Sequence, residues 1–481
     1  MSRGVPDARR DASFRGKRSR RARPGGWNAA CEGTGTRATR PLPPSTQPRL
    51  RAGPPRSTHM AVKEMQFGDL IITFTKKFEE RWLDTGSGAD ADVGFYHPVP
   101  PAGFYALGSI GVSNNLSPND RFASICVKAA NPRSTTPALL PPKDFQFIWN
   151  DAGSGADEDG SCWRPVPPSQ DYVALGDVFV RGHDKPKGTQ VMCVHKSLVF
   201  EAVVGTRIWI DAGSGADRDF GAWQLDVSRA FRDTPDGVFA VNSFVGVASH
   251  DKPASAPVAW TLRLPLPTTE LGEQAQPNLT SRSSPPDHTN PMVDRIVTVP
   301  FTAVADADKT LAWQVDNSPF YEVQRLVSFD LLLFDNNNTS RDQTKRASTT
   351  TGVSTSDTET FSVTTGVSVT MESGVELGVF SSKVSATIST ELGYSSSRSI
   401  SVMRSDTVDA ELVTPAEHSG ALWVQKQALR VVRGDGSSVA APLTFRASAA
   451  AAFVERQFPA PQPDLENAPR TRTRRTRLQL G

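Results

Sequence analysis

Residues 148–163 read "IWNDAGSGADEDGSCW", and the chain spells nearly the same phrase three times. "WLDTGSGADAD" starts at Trp82, "WNDAGSGADED" at Trp149 and "WIDAGSGADRD" at Trp209, which sets periods of 67 and 60 residues. Fourteen residues after each tryptophan comes a second ring: Tyr96, Trp163 and Trp223. Each unit holds short runs of Val, Ile, Phe, Tyr and Trp punctuated by Gly, Pro and Asp, with no 3.6-residue period. Each closes on a β-patterned run, "ASICVKA", "QVMCVHK" or "PVAWTLR". One unit is too small to bury its apolar face, whereas three packed about a pseudo-threefold axis can do so. The fold class is therefore all-β. Residues 60–264 are expected to form a three-repeat β-prism-like domain with Trp82, Tyr96, Trp149, Trp163, Trp209 and Trp223 as its core aromatics.

A further phrase extends the repeat. "HPVPPAGFYALGSIGV" from His97 parallels "RPVPPSQDYVALGDVFV" from Arg164, while the third copy, "QLDVSRAFRDTPDGVFAVNSFVGV" from Gln224, lacks the prolines. The tryptophan, GSGAD and PVPP phrases together resemble the vacuolar protein sorting-associated protein 62 family over about residues 66–264. The resemblance implies a link to trafficking and brings no catalytic residues with it.

Within each GSGAD loop the aspartates keep one spacing, at 0, +6 and +8: Asp84, Asp90, Asp92; Asp151, Asp157, Asp159; Asp211, Asp217, Asp219. Carboxylates on a glycine-rich loop suit Ca²⁺, which takes several oxygen ligands, or the hydroxyls of a sugar. The same residues also build tight turns, Asp through hydrogen bonds to the backbone and Gly through positive φ. Both readings stand on the sequence. No cofactor is required, and Ca²⁺ is the candidate ion at these loops. "RGHDKP" (181–186) and "ASHDKP" (248–253) recur opposite "SNNLSP" in the first copy. They put His183 beside Asp184 and His250 beside Asp251, but with no nucleophile in company they read as loops.

Cys126 and Cys193 both lie 44 residues after their tryptophans, as equivalent buried strand positions would. The four cysteines show neither CxxC spacing nor a histidine pair, which argues against zinc and against a disulfide scaffold. No Ser/His/Asp set or phosphate loop in its proper context appears, so an enzyme is not expected. Residues 1–59 carry fourteen Lys and Arg against three acids, a net of +11 that leaves −9 for the rest of a chain totalling +2. This Arg/Pro/Gly-rich stretch is expected to be disordered, either a basic arm or an upstream extension of a chain that starts at Met60. The tail 459–481 reads the same way. No secretory signal is visible. The expectation is a soluble protein, cytoplasmic or released by another route, that acts at a target membrane.

Residues 265–292 are rich in Pro, Ser and Thr and read as a linker. Beyond them "DRIVTVPFTAVADA", "LAWQVDNS" and "YEVQRLVSFDLLLFDN" read as strands. From Phe361 the odd positions become apolar and the even ones Ser, Thr, Gly or Glu; after "FSSK" (380–383) the apolar phase moves to even positions. Two arms, Val367–Val379 and Val384–Tyr394, are each long enough for a tilted transmembrane strand of about 9–11 residues. The lipid face would be Val367, Val369, Met371, Val375, Leu377, Val379, Val384, Ala386, Ile388, Leu392 and Tyr394, with Phe380 at the tip. Glu372, Glu376 and Glu391 would line a lumen that favours cations.

This Ser/Thr-rich alternation, flanked by strands and followed by "SDTVDAELVTPAEHSGALWVQKQALRVV", resembles the aerolysin and epsilon-toxin-like pore-forming family over about residues 293–458. The resemblance implies an elongated β-rich module that binds a receptor, oligomerises and inserts a hairpin into a β-barrel. The expected partners are membrane lipid or a cell-surface glycan or protein receptor, together with further copies of the chain. No nucleic acid is expected for the folded part. Repeats as address and hairpin as effector make a β-pore-forming, toxin-like protein. The alternative is a non-lytic vacuolar sorting, trafficking or carbohydrate-binding interaction protein.

Overall fold

The architecture comes from a computed structural model, which describes residues 63–187, 190–228, 236–370, 374–377, 383–394, 405–447 and 449–460. The first repeat contributes β1 (Met65–Phe67), β2 (Leu70–Thr75), β3 (Phe78–Leu83), β4 (Gly94–Pro98), β5 (Ile110–Val112) and β6 (Ser124–Ala129). The second contributes β7 (Leu139–Leu140), β8 (Asp144–Asn150), β9 (Gly160–Val166), β10 (Tyr172–Val173), β11 (Val178–Arg181) and β12 (Cys193–His195). The third contributes β13 (Val199–Ile210), β14 (Gly221–Val227), β15 (Gly237–Phe239), β16 (Phe244–Val247) and β17 (Trp260–Leu264).

Each repeat builds two small antiparallel sheets. The inner ones run β3-β4-β5, β8-β9-β11 and β13-β14-β16; the outer ones run β1-β2-β6, β7-β12-β10 and β13-β17-β15. In all three inner sheets the ladder slips just before the tryptophan, between Glu80 and Trp82, Phe147 and Trp149, and Arg207 and Trp209. A bulge re-aims the next side chain, and here it accompanies a turn of the indole onto the threefold axis. The three indoles meet there with ring centroids 5.6, 5.6 and 6.2 Å apart, all edge to face. Phe95, Phe179, Phe220 and Phe244 close the cluster. Tyr96, Trp163 and Trp223 are buried too, but in three separate satellite clusters away from the axis. Cys126 and Cys193 are fully buried and burial pushes both thiols up to about 12, so they act as packing groups.

The second module begins earlier than its sequence suggests. β18 (Thr268–Glu270) lies inside the expected linker and pairs with β19 (Met292–Pro300), and Leu279 is buried against Phe329 and Trp423. Within residues 265–292, Thr268–Glu270 thus belong to the module's sheet and Leu279 to its core, while most of the other residues are exposed and irregular. "LAWQVDNS" is also corrected: it is helix α1 (Leu311–Asn317), whose first turn is fixed by Thr310 accepting from the Trp313 N–H at 3.2 Å. The long strands follow: β20 (Phe320–Asn336), β21 (Gln343–Thr351) and, after helix α2 (Thr355–Thr365), the short β22 (Val367–Thr370), β23 (Gly374–Leu377) and β24 (Val384–Thr387). β25 (Asp406–Thr414), β26 (Ser419–Val432), β27 (Leu443–Arg446) and β28 (Phe453–Phe458) complete the chain. β20 and β26 form the spine, and β21 pairs with β25 in a separate two-stranded ribbon.

The alternating segment departs most from expectation. Phe361 is helical, since Ser354 caps α2 by accepting from the Asp357 N–H and Gly366 ends it at φ 74. Threonine hydroxyls at 360, 364 and 365 donate back to carbonyls four residues earlier, so these side chains find partners within the helix itself. Instead of two long arms, β22 and β23 pair with each other (Val367↔Leu377, Thr370↔Gly374), and β23 pairs with β24 (Leu377↔Ala386). β24 then pairs with β15, so the third repeat and this segment share one eight-stranded sheet, β16-β14-β13-β17-β15-β24-β23-β22.

Candidate functional site

Two regions carry the sequence signals, the apex where the GSGAD loops meet and the packed alternating segment. At the apex each loop is locked by the next repeat. The Nε1–H of Trp82 donates to Glu158 O (2.9 Å), Trp149 to Arg218 O (2.9 Å) and Trp209 to Ala91 O (2.6 Å). The amides of Asp90, Asp157 and Asp217 donate to the carbonyls of Ala212, Thr85 and Ala152, closing a second ring of three. Gly86, Gly153 and Gly213 have φ of 83, 88 and 86°, and a Cβ there would meet the carboxylates of Asp157, Asp217 and Asp90 within 2.8 Å. The glycines serve both the left-handed turn and the close approach of the neighbouring repeat.

The aspartates divide into three roles. Asp84, Asp151 and Asp211 are buried, and their Oδ1 atoms accept the N–H of Val93, Gly160 and Phe220 at 3.0, 3.1 and 2.8 Å. Burial pushes the Asp84 carboxyl above the ordinary carboxylate value, opposed by the Val93 N–H. Asp90, Asp157 and Asp217 are exposed and lie against glycines of a neighbouring repeat. Asp92, Asp159 and Asp219 are exposed at the rim.

His183 and His250 do not pair with the adjacent Asp184 and Asp251. Their Nε2 atoms lie 2.6 Å from Asp151 Oδ1 and Asp211 Oδ1. In the first copy Asn115, with its amide nitrogen turned to the loop, donates to Asp84 Oδ1 at 2.8 Å and to Val93 O at 2.9 Å. Among the described residues, Asp151, Asp159 and His183, and likewise Asp211, Asp219 and His250, bring one ligand atom each within 4.8 Å of one another. These sets mix imidazole with carboxylate, which suits a zinc-type cation better than Ca²⁺. They omit the +6 aspartates of the sequence triplets, and Asn115 shows that the contact already serves to hold the loop. The link was partly legible, because the HDKP phrase recurs opposite the same loop, but only folding brings the phrase to Asp151 and Asp211.

In the second region the apolar set faces protein. Val367, Val369, Val375, Leu377, Val384, Ala386, Ile388, Leu392 and Tyr394 are all buried, in one cluster with Phe239, Val241, Leu262 and Leu264 of the third repeat. Glu376 is buried, and Glu391 is half-buried with its carboxyl pushed up by burial. Met371, Glu372, Val379 and Phe380 lie outside the described residues, as do 1–62 and 461–481. No helix of the described residues is long and apolar enough to cross a membrane, which says nothing of strands.

The described residues thus form an all-β protein of two modules with a shared core. Residues 43–261 match the family described as Vacuolar protein sorting-associated protein 62, and residues 293–442 match the family described as Insecticidal Crystal Toxin, P42. The second match makes the C-terminal module toxin-like. Among curated proteins none matches the chain. Among solved structures, GNIP1Aa from Chromobacterium piscinae is similar at 32% identity over 38% of this chain and 34% of its own, with a TM-score of 0.33. The match thus spans about a third of that protein's length. Cry35Ab1 is similar at 13% identity over 82% of this chain and 91% of its own, with a TM-score of 0.29. With scores this low, neither superposition bears on the topology.

Proposed function

We propose that the protein is a two-module pore former of the aerolysin-like kind. The three-repeat domain attaches it to a cell surface, and several copies together insert the 352–405 segment as β-hairpins. The observation that carries this reading is the register of the ribbon that brackets the segment, with Gln343 opposite Thr414 and Thr351 opposite Asp406. Continued without a slip, it sets Val363 opposite Tyr394, Val369 opposite Ile388 and Met371 opposite Ala386. The apolar phase change from odd to even positions is the one this register requires to keep both arms' apolar residues on one face. This register moves the tip from "FSSK" to Gly378–Val379, just before Phe380, where a leading glycine suits a two-residue turn.

The packed segment buries most of that face, at roughly 1.5–3 kcal/mol for each large side chain. The eight larger residues of the face together match or exceed the net stability of a typical domain, about 5–15 kcal/mol. Release into water is therefore negligible, and release into a bilayer, which can take up the same surface, is the exit open to it. One hairpin leaves unmet edge hydrogen bonds in lipid, so several chains must close a barrel.

The test is conductance in planar bilayers. Stepwise, cation-selective openings are expected, with selectivity reduced by Glu376→Gln together with Glu391→Gln. Silence across lipid compositions and added cell-surface glycans would instead favour a non-lytic carbohydrate-binding role or a trafficking role, the latter supported by the match of residues 43–261 to a vacuolar-sorting-associated family.

A further inference from the structure

The third repeat is built differently from the other two at one edge. In the first repeat, the outer edge at Ala106 is bridged by Val191 of the second repeat, with the Met192 N–H donating to Ala106 O at 3.2 Å. At the matching place in the third repeat the bridging segment comes from the other module. β24 pairs along β15, Val238 with Ser385 and Phe239 with Val384, and the Ala240 N–H donates to Lys383 O at 2.8 Å. The side chain of Lys383 reaches back over the same repeat. Its Nζ donates to Asp226 Oδ1 at 2.6 Å and to Leu225 O at 3.3 Å. The Asp226 carboxylate sits where a side chain on β13 would stand, since a Cβ on Gly205 would come within 2.2 Å of Asp226 Oδ2. Glycine at that point leaves the space the carboxylate occupies.

We propose that this edge is a latch: β15 and Asp226 of the third repeat hold β24 and Lys383 in the packed state, so the address module also restrains the effector segment. The inference rests on the pore-forming reading for its consequence, though the contact itself does not. Its location gives it leverage. β24 is the strand through which β22 and β23 join the third repeat's sheet, so parting β24 from β15 frees the segment from the repeat domain. Beyond the ladder the segment also packs apolar side chains against Phe239, Val241 and Leu262 of the third repeat, while contacts such as the Arg325 guanidinium over the Tyr394 ring and Gly366 against Ala305 lie within its own module. A surface that binds the third repeat and disturbs β14 or β15 would thereby loosen the hairpin at the membrane that bound it.

Two measurements on the full chain separate the latch from the pore. In Asp226→Asn and in Lys383→Met, amide hydrogen exchange at residues 384–388 is expected to rise about tenfold, while β3 and β9, in the other two repeats, exchange as in the parent protein and so report an intact fold. In the pair Val238→Cys with Ser385→Cys, which sit directly opposite across the ladder, oxidation is expected to abolish dye release from phosphatidylcholine–phosphatidylserine vesicles, and reductant to restore it. Unchanged exchange in both single variants overturns the latch. Undiminished release by the oxidised pair also overturns it while leaving pore formation standing. Raised exchange with no release from any form supports the restraint on β24 and contradicts the pore-forming reading.

Discussion

Trp82, Trp149 and Trp209 are enclosed by their own repeats, and every hydrogen bond they donate is answered by the next repeat in a closed ring. Val384, Ile388 and Leu392 are as deeply buried, yet the residues around them belong to two modules and their strand borrows its partner from the third repeat. Three buried polar atoms of that segment, Ser362 Oγ, Glu391 Oε2 and Tyr394 OH, find no hydrogen-bond partner. Equal burial therefore conceals unequal commitment. The apex has one way to satisfy its groups, whereas the segment's apolar face can be satisfied by any apolar surface of the right width.

The apex should accordingly fail as a unit. Trp149→Ala removes one of three mutually packed indoles and is expected to cost about 3–5 kcal/mol in chemical denaturation. A loss confined to under about 1 kcal/mol would show that the repeats do not share one core. A second stress on the repeats is acid. His97 is buried between Ser109 Oγ and Gln190 O, and burial, with Arg81 nearby, lowers it to about 4. The folded protein holds the neutral imidazole while the unfolded chain protonates near 6.5, so this contribution is complete above pH 6.5 and is lost as pH falls toward 4. The lost stability amounts to roughly 3 kcal/mol. His97→Gln should flatten that part of the stability profile.

Gly86→Ala comes next. It forces a Cβ into a left-handed position and against the Asp157 carboxylate, for a cost of about 1–3 kcal/mol. His183→Ala should cost about 1 kcal/mol and His183→Asn much less, because Asn115 makes the corresponding bond in the first copy. If His183→Asn is as damaging as His183→Ala, the imidazole has a role beyond holding the loop, and zinc binding by the intact protein becomes the measurement to make. The smallest effect belongs to the segment. Burial raises the Glu391 carboxyl above its ordinary value, so rising pH, which charges it, should loosen the packed state slightly. Glu391→Gln should remove that dependence in hydrogen exchange of β24.

The threefold domain was legible because a repeat constrains itself. Once Trp82, Trp149 and Trp209 are seen to be equivalent, a closed core follows from the size of the unit. The roles of the aspartates were less legible, since Asp84, Asp90 and Asp92 differ only by which repeat each one faces, and spacing does not encode that. Tyr96, Trp163 and Trp223 are core aromatics as the sequence leads one to expect, but they lie in three satellite clusters off the axis, which spacing alone does not distinguish. In the alternating segment the apolar residues from Val367 onward are buried together, whereas Phe361 and Val363, which open the alternation, lie on α2 with Val363 exposed. The period-2 signal did not mark where the chain turns, because Ser354 and Gly366 cap a helix inside it, and Thr370 pairs back to Gly374 within what reads as one arm. "LAWQVDNS" shows the same limit on a small scale, with the Thr310 cap deciding for helix.

The central claim is that one segment has two ladders, the packed one seen here and an extended one set by β21 and β25. Val369 pairs with Val375 in the packed form, and Ile388 lies beyond Val375, its N–H bonded to the Val375 carbonyl, so Val369 and Ile388 stand about two strand spacings, roughly 10 Å, apart. That is too far for a disulfide. The measurement is oxidative cross-linking of Val369→Cys with Ile388→Cys, beside Val369→Cys with Val375→Cys, before and after addition of vesicles. The account predicts that the 369–375 pair closes in solution and the 369–388 pair closes only on membranes. Closure of the 369–375 pair alone under both conditions would contradict it.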